Sequence, residues 1–208
     1  MTTASVGHLY QDEEWMRLSG AILAAAVSGT VLAQSLSNPP TLESLAAMGT
    51  EALAAAANGL DLLDPAVRDI AAPAIAAWVM DSRDAAVARG VEKIPTEVRD
   101  ALNGFVPHEI LERVRWRSDD EAFSISQSLF VAGYASALTL EDVVLFASTE
   151  NANDPKLWAH EIYHVMQYEE WGVDGFVTRY LTDRASVERD AWEFRWQWMK
   201  ATDRIPQL

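Results

Sequence analysis

Leu157-Trp-Ala-His-Glu-Ile-Tyr-His-Val-Met-Gln-Tyr168 is the stretch that decides how this chain reads, because it sets His160, Glu161 and His164 in the order H-E-x-x-H within an apolar-periodic run. On a helix of 3.6 residues per turn the two histidines lie one turn apart on the same face. Both imidazoles then reach one metal ion, while Glu161 projects beside them toward an activated water. Trp158, Ala159, Ile162, Val165 and Met166 fall on the opposite side, where they are expected to pack into a core; Leu157, Gln167 and Trp171 lie on or near the histidine face. Asp154 is expected as the N-cap with Pro155 at the first helical position, and Gly172 as the C-terminal cap. Only His8, His108, His160 and His164 occur in the chain, so a chance pair at this spacing is a weak alternative. His108 reads as a surface histidine near a helix start.

A zinc site that works on water usually takes three protein ligands and keeps one position open. Glu169 and Glu170 come five and six residues after His164, which turns them away from the histidine face. The compact H-E-x-x-H-x-x-G-x-x-H arrangement is absent, since Gln167 and Glu170 occupy its glycine and third-histidine positions. Glu188 is the expected third ligand, on a later helix where Ala191 permits close approach. Asp190 and Glu193 are its rivals, although Asp190 lies about 200° around the helix from Glu188.

Upstream, the 208-residue chain has room for one well-filled core with a helical extension. Its 31 acidic and 16 basic residues give a formal net charge of -15, which argues against nucleic-acid backbones and anionic membranes as partners. With no cysteine, disulfides and thiolate metal sites are excluded. Residues 1–33 read as an N-terminal extension. Within it, Met16-Arg17, the short apolar run that follows and the small residues before Gln34 read as a secretory signal starting at Met16, with a buried alanine-rich helix as the competing reading. That reading implies export to the periplasm or beyond; without the signal the chain is expected in the cytoplasm. The run is too short and too polar for a stable membrane span.

Residues 34–91 are expected to form a helical N-terminal region, with helices over 42–58 and 65–90 punctuated by Pro65, Pro73 and Gly90. Short helices follow from Thr96, a candidate cap, and from Pro107 to about Arg113. Strand-like runs appear at Phe123–Val131 and at Ala137–Phe146, the latter turning at Glu141-Asp142, so a small antiparallel sheet is expected before the histidine helix. Residues 174–182 and 185–201 read as two further helices. The fold class is thus α+β and mostly helical.

Over Ile94–Trp196 the sequence resembles a family of domains assigned as metallopeptidases, often encoded with extracellular contractile injection systems and known as the core domain of those systems. The resemblance rests on Ile94-Pro-Thr-Glu-Val-Arg99, Leu111-Glu-Arg-Val-Arg115, Ala137-Leu-Thr-Leu-Glu-Asp-Val-Val-Leu-Phe146, Ala159–Tyr168, Gly172-Val-Asp-Gly-Phe176 and Val187-Glu-Arg-Asp-Ala191. It implies a zincin-like domain over residues 92–208 in which His160 and His164 bind Zn2+ and Glu161 is the base. The setting of Glu188 resembles the glutamate helix of zincins with a distant third ligand. Tyr163 stands where the family more often has threonine, and Glu141 where it often has a turn glycine. The expected function is a zinc-dependent hydrolase cleaving a protein or peptide substrate. Its rival is a non-catalytic zincin-like module for docking or assembly with a secretion or injection system.

Overall fold

The computed structural model describes residues 65–118 and 136–202. The N-terminal extension with its signal reading, the helix expected over 42–58 and the strand expected over 123–131 lie outside the described residues.

Helix α1 (Pro65–Arg89) opens the described chain and runs through Pro73 without a break, so that proline does not punctuate as expected. Its C-terminal end meets Gly90 at φ 101°, a backbone conformation that glycine adopts without a Cβ clash. Strand β1 (Glu92–Lys93), α2 (Thr96–Leu102), α3 (His108–Arg113) and β2 (Arg115–Ser118) follow. Pro95, not Thr96, occupies the N-cap of α2, and no side chain caps it. His108 is exposed, as expected for a surface histidine. After the segment outside the description come β3 (Ala137–Leu140), β4 (Val143–Phe146), the short α4 (Thr149–Ala152) and the long α5 (Pro155–Ala201).

The four strands lie in the order β1-β2-β4-β3. The expected hairpin is present, with Ala137 opposite Phe146 and Leu140 opposite Val143. The sheet is mixed, however, and this corrects the antiparallel expectation: β4 lies parallel to β2, Arg115 opposite Val143 and Ser118 opposite Phe146. A parallel neighbour needs a long connection, and that pairing is invisible to local alternation. As an interior strand covered on both faces, β4 is buried at every position, which explains its unbroken Val-Val-Leu-Phe sequence.

Between β3 and β4 the turn forces Glu141 to φ 56°, a left-handed conformation that costs a non-glycine residue about 1–2 kcal/mol. Its carboxylate is also partly desolvated and sits beside Asp142. Burial and that neighbour raise its pKa to about 6 despite Arg113 and Arg83.

Asp154 caps α5 by accepting from the Lys156 amide at 2.9 Å, with Pro155 in the first turn, as the sequence indicated. Two residues interrupt the helical backbone, Gly172 (φ 69°, ψ 170°) and Asp183 (φ -150°, ψ 71°). They divide α5 into three segments that match the three helices expected from the sequence. Asp183 caps the third, its Oδ1 accepting from the Ser186 amide at 3.0 Å. The third segment runs back along the first, since His160 meets Trp192 while His164 meets Glu188. Trp158, Ala159, Ile162 and Val165 are fully buried against β4, α2 and α3, and Met166 packs at the edge of the same cluster. Trp158 lies 4.6 Å from Phe146, centroid to centroid, and its Nε1 donates to the Ala152 carbonyl.

Replacing Glu141 with glycine is expected to stabilise the fold by about 1 kcal/mol at neutral pH through relief of the left-handed backbone. An additional gain should grow between pH 4.5 and 6, because the folded-state pKa is raised and the Glu141 charge becomes a cost only as pH rises through that window. Chemical denaturation of both proteins at pH 4 and pH 7 checks this; a pH-independent difference would show that backbone strain alone matters.

Candidate metal centre

The first segment of α5 presents His160 and His164 inward, each about 4 % exposed. Their rings stand nearly perpendicular with centroids 4.7 Å apart, and their Nε2 atoms face each other at 3.1 Å. The third segment delivers Glu188, 1 % exposed, whose Oε2 lies 3.3 Å from the His160 Nε2 and 3.6 Å from the His164 Nε2. Among the described residues these three form a buried cluster whose donor atoms all converge.

The rival carboxylates are elsewhere. Glu169 pairs with Arg113 at 2.6 Å on the far side of the helix, and exposed Glu193 accepts from Gln197. Asp190 is only partly buried and lies near the Tyr163 phenol, whose pKa burial and the neighbouring acids raise.

The donor set and spacing fit zinc. Tetrahedral ligands at about 2.0–2.1 Å from the ion stand roughly 3.3 Å from one another, and the three observed separations bracket that value. Two imidazoles and a carboxylate are the ligand types that zinc accepts alongside an open position. The unoccupied hydrogen-bond capacity agrees, because Glu188 Oε2 has no well-formed hydrogen bond.

The supporting groups orient the cluster. Gln167 Nε2 donates to the Val187 carbonyl at 3.1 Å, which leaves its Oε1 to accept from His164 Nδ1 at 2.7 Å. His164 therefore carries a proton on Nδ1 and aims Nε2 at the cluster. The Tyr180 hydroxyl donates to Glu188 Oε1 at 2.5 Å, so the other carboxylate oxygen faces the imidazoles. Phe176 stacks between Tyr168, at 3.8 Å, and Tyr180, at 5.6 Å, and meets the His164 ring edge-on.

Electrostatics in the ion-free cluster follow from these contacts. Burial opposes charge on His164, but Glu188, Glu161 and Gln167 outweigh it and raise the imidazole to about 9. Burial likewise opposes charge on Glu188, and the two histidines more than offset it, holding the carboxyl far below its usual range.

Glu161 lies beside this cluster, 5 % exposed, and its Oε2 accepts from the Thr139 hydroxyl of β3 at 2.7 Å. Thr139 Oγ1 is also 3.2 Å from the Glu161 carbonyl, but its single proton is better used on the nearer carboxylate. Thr139, Gln167 and Tyr180 are the site residues whose roles the sequence analysis did not assign. Gln167 was legible as a neighbour of the histidine face; Thr139 and Tyr180 carried no local signal.

Gln167→Leu is expected to cost about 1–3 kcal/mol, because it removes two buried hydrogen bonds and strands both the His164 Nδ1 proton and the Val187 carbonyl. Urea denaturation of the metal-free chain measures this. A cost within experimental error would show that Gln167 does not join the two segments.

The comparisons with known proteins bear on part of this arrangement. The sequence model of the eCIS core domain matches residues 93–172, a span that takes in strands β2 to β4, Thr139, His160, Glu161 and His164 and stops before Glu188. No curated protein and no solved structure matches the chain. Over residues 93–172 the chain is similar to the core domain of extracellular contractile injection systems.

Proposed function

We propose that the chain is a zinc-dependent hydrolase, a metallopeptidase on a zincin-like frame, with His160, His164 and Glu188 as metal ligands and Glu161 as general base. The observation that carries this reading is the burial of three converging donors beside a carboxylate one residue from His160. A cluster serving stability alone has no use for Glu161 at that position.

Zinc bound there supplies a Lewis acid that polarises a carbonyl and makes a water more acidic. Glu161 takes the proton from the attacking water and delivers it to the leaving amine. Thr139 occupies one Glu161 oxygen, so the other is free to carry that proton. Gln167 and Tyr180 hold His164 and Glu188 in their orientations. Strand β3 lies at the edge of the described sheet, where an extended peptide can add by backbone pairing within reach of Glu161. The substrate is accordingly a protein or peptide, and the contractile injection system is the setting in which it is met. Among the described residues no helix is long and apolar enough to cross a membrane.

Two experiments test the reading. Metal analysis after zinc loading is expected to give about one ion per chain. Glu188→Ala should weaken zinc binding far more than Asp190→Ala or Glu193→Ala, and the double change His160→Ala, His164→Ala should abolish it. Equal effects of the three carboxylate substitutions would place the third ligand elsewhere. Glu161→Gln should retain zinc while lowering peptide hydrolysis by several orders of magnitude, because the amide neither accepts nor returns a proton. Undiminished hydrolysis by that variant would remove Glu161 from the mechanism.

A further inference from the structure

Helix α1 is an integral part of the core. Its Ile75, Ala76, Trp78, Val79 and Ala86 are buried, and it packs along α5 and against β3 and β4. Yet it precedes residues 93–172, the span matched by the eCIS core domain. Through Trp78 it also reaches the candidate centre, where a recess of about 40 Å³ is walled by Trp78, Thr139, Glu161, His164, Tyr168 and Glu188 together with apolar side chains of β3 and α5. Such a recess holds about three waters, roughly the bulk of one small polar group.

The hydrogen-bond donors on these walls fall into two sets. The Thr139 hydroxyl is committed to Glu161, the Tyr180 hydroxyl to Glu188 and the His164 Nδ1 proton to Gln167. Two donors are left over. Trp78 Nε1 is buried without a partner, in a residue 7 % exposed. The hydroxyl of Tyr168, a residue 5 % exposed, has no hydrogen-bond partner among the described residues, although its ring is fixed by stacking on Phe176 at 3.8 Å. Burial, with Glu141 and Glu161 nearby, raises the Tyr168 pKa, so the phenol keeps its proton and remains a donor. Unpaired donors in an interior are uncommon, because each gives up its water without a replacement. A visiting acceptor accounts for both, since the two lie on the walls of one recess beside Glu161.

We propose that Trp78 and Tyr168 are further substrate-contacting residues of the candidate centre, the indole N–H and the phenol O–H both donating to the carbonyl oxygen of the peptide bond that is cleaved. This assignment rests on the hydrolase reading and adds to it a part of the site supplied by α1. As water adds to the carbonyl carbon and Glu161 takes its proton, the π pair of the C=O bond moves to that oxygen, which becomes an oxyanion. The pair returns when the C–N bond breaks and the amine leaves with the proton from Glu161. Donors already in place act most strongly on the charged oxygen, so they raise kcat more than they lower KM.

The test uses the zinc-loaded full chain and a dipeptide phosphinate, a stable tetrahedral anion, as the probe. Tyr168→Phe keeps the ring and removes one donor. It should weaken phosphinate binding in calorimetry by about ten- to a hundredfold and lower kcat by a similar factor, with KM and zinc affinity unchanged. In the metal-free chain the same change should not lower the urea midpoint, because the hydroxyl has no bond to lose. Trp78→Phe also removes volume, so the indole is followed directly: its N–H resonance, assigned by its absence from that variant, should move downfield when phosphinate binds to the unsubstituted chain. An unmoved indole resonance strikes Trp78 from the assignment, and undiminished phosphinate binding by Tyr168→Phe strikes Tyr168, both leaving the hydrolase reading in place. Phosphinate binding that depends on these donors without hydrolysis of any peptide would uphold the oxygen site and refute the hydrolase. A zinc-loaded chain that binds no phosphinate would overturn the assignment outright.

Discussion

Two imidazole nitrogens and a carboxylate oxygen, gathered within 3.6 Å in an apolar interior, are the constraint on which this structure turns. Burial of such groups is expensive unless each finds a partner, and three acceptors facing one another do not satisfy themselves. One proton shared through His164 relieves part of the cost in the ion-free chain, which is why His164 and Glu188 shift in opposite directions. A divalent cation relieves all three at once. The path of α5 brings the third of these donors to the first two.

That task falls to the interruptions in α5. Gly172 lets the chain leave the histidine segment at a positive φ, and Asp183 restarts the helix with its own cap. The intervening turns contribute Phe176 and Tyr180 as an aromatic wall behind Glu188. Gln167 then clasps the two flanking segments through a single amide, one end on His164 and the other on the Val187 carbonyl. On the opposite side, Thr139 connects the sheet to Glu161.

Much of this was legible because it is local. The spacing of His160, Glu161 and His164, the Asp154-Pro155 start and the glycine at 172 each act within a few residues. Glu188 was reached by setting aside Glu169 and Glu170 on rotational grounds, by the small Ala191 one turn on, and by a setting that resembles the glutamate helix of zincins. The parallel pairing of β2 with β4 was not legible, since a parallel ladder depends on a long connection and leaves no turn signature. Thr139 and Trp78 escaped for a related reason: each meets the site across a gap in sequence that only tertiary packing closes. Glu141 is the converse case, a non-glycine residue that holds the φ for which glycine is suited.

The bond from Tyr180 to Glu188 decides which carboxylate oxygen is presented to the cluster. A free carboxylate can grip a cation with both oxygens, but here the phenol already engages Oε1. Oε2 is therefore the oxygen that Glu188 turns toward the two imidazoles. Were a cation held by these three side chains, the carboxylate oxygen presented to it would thus be chosen by a residue that itself lies outside the donor set.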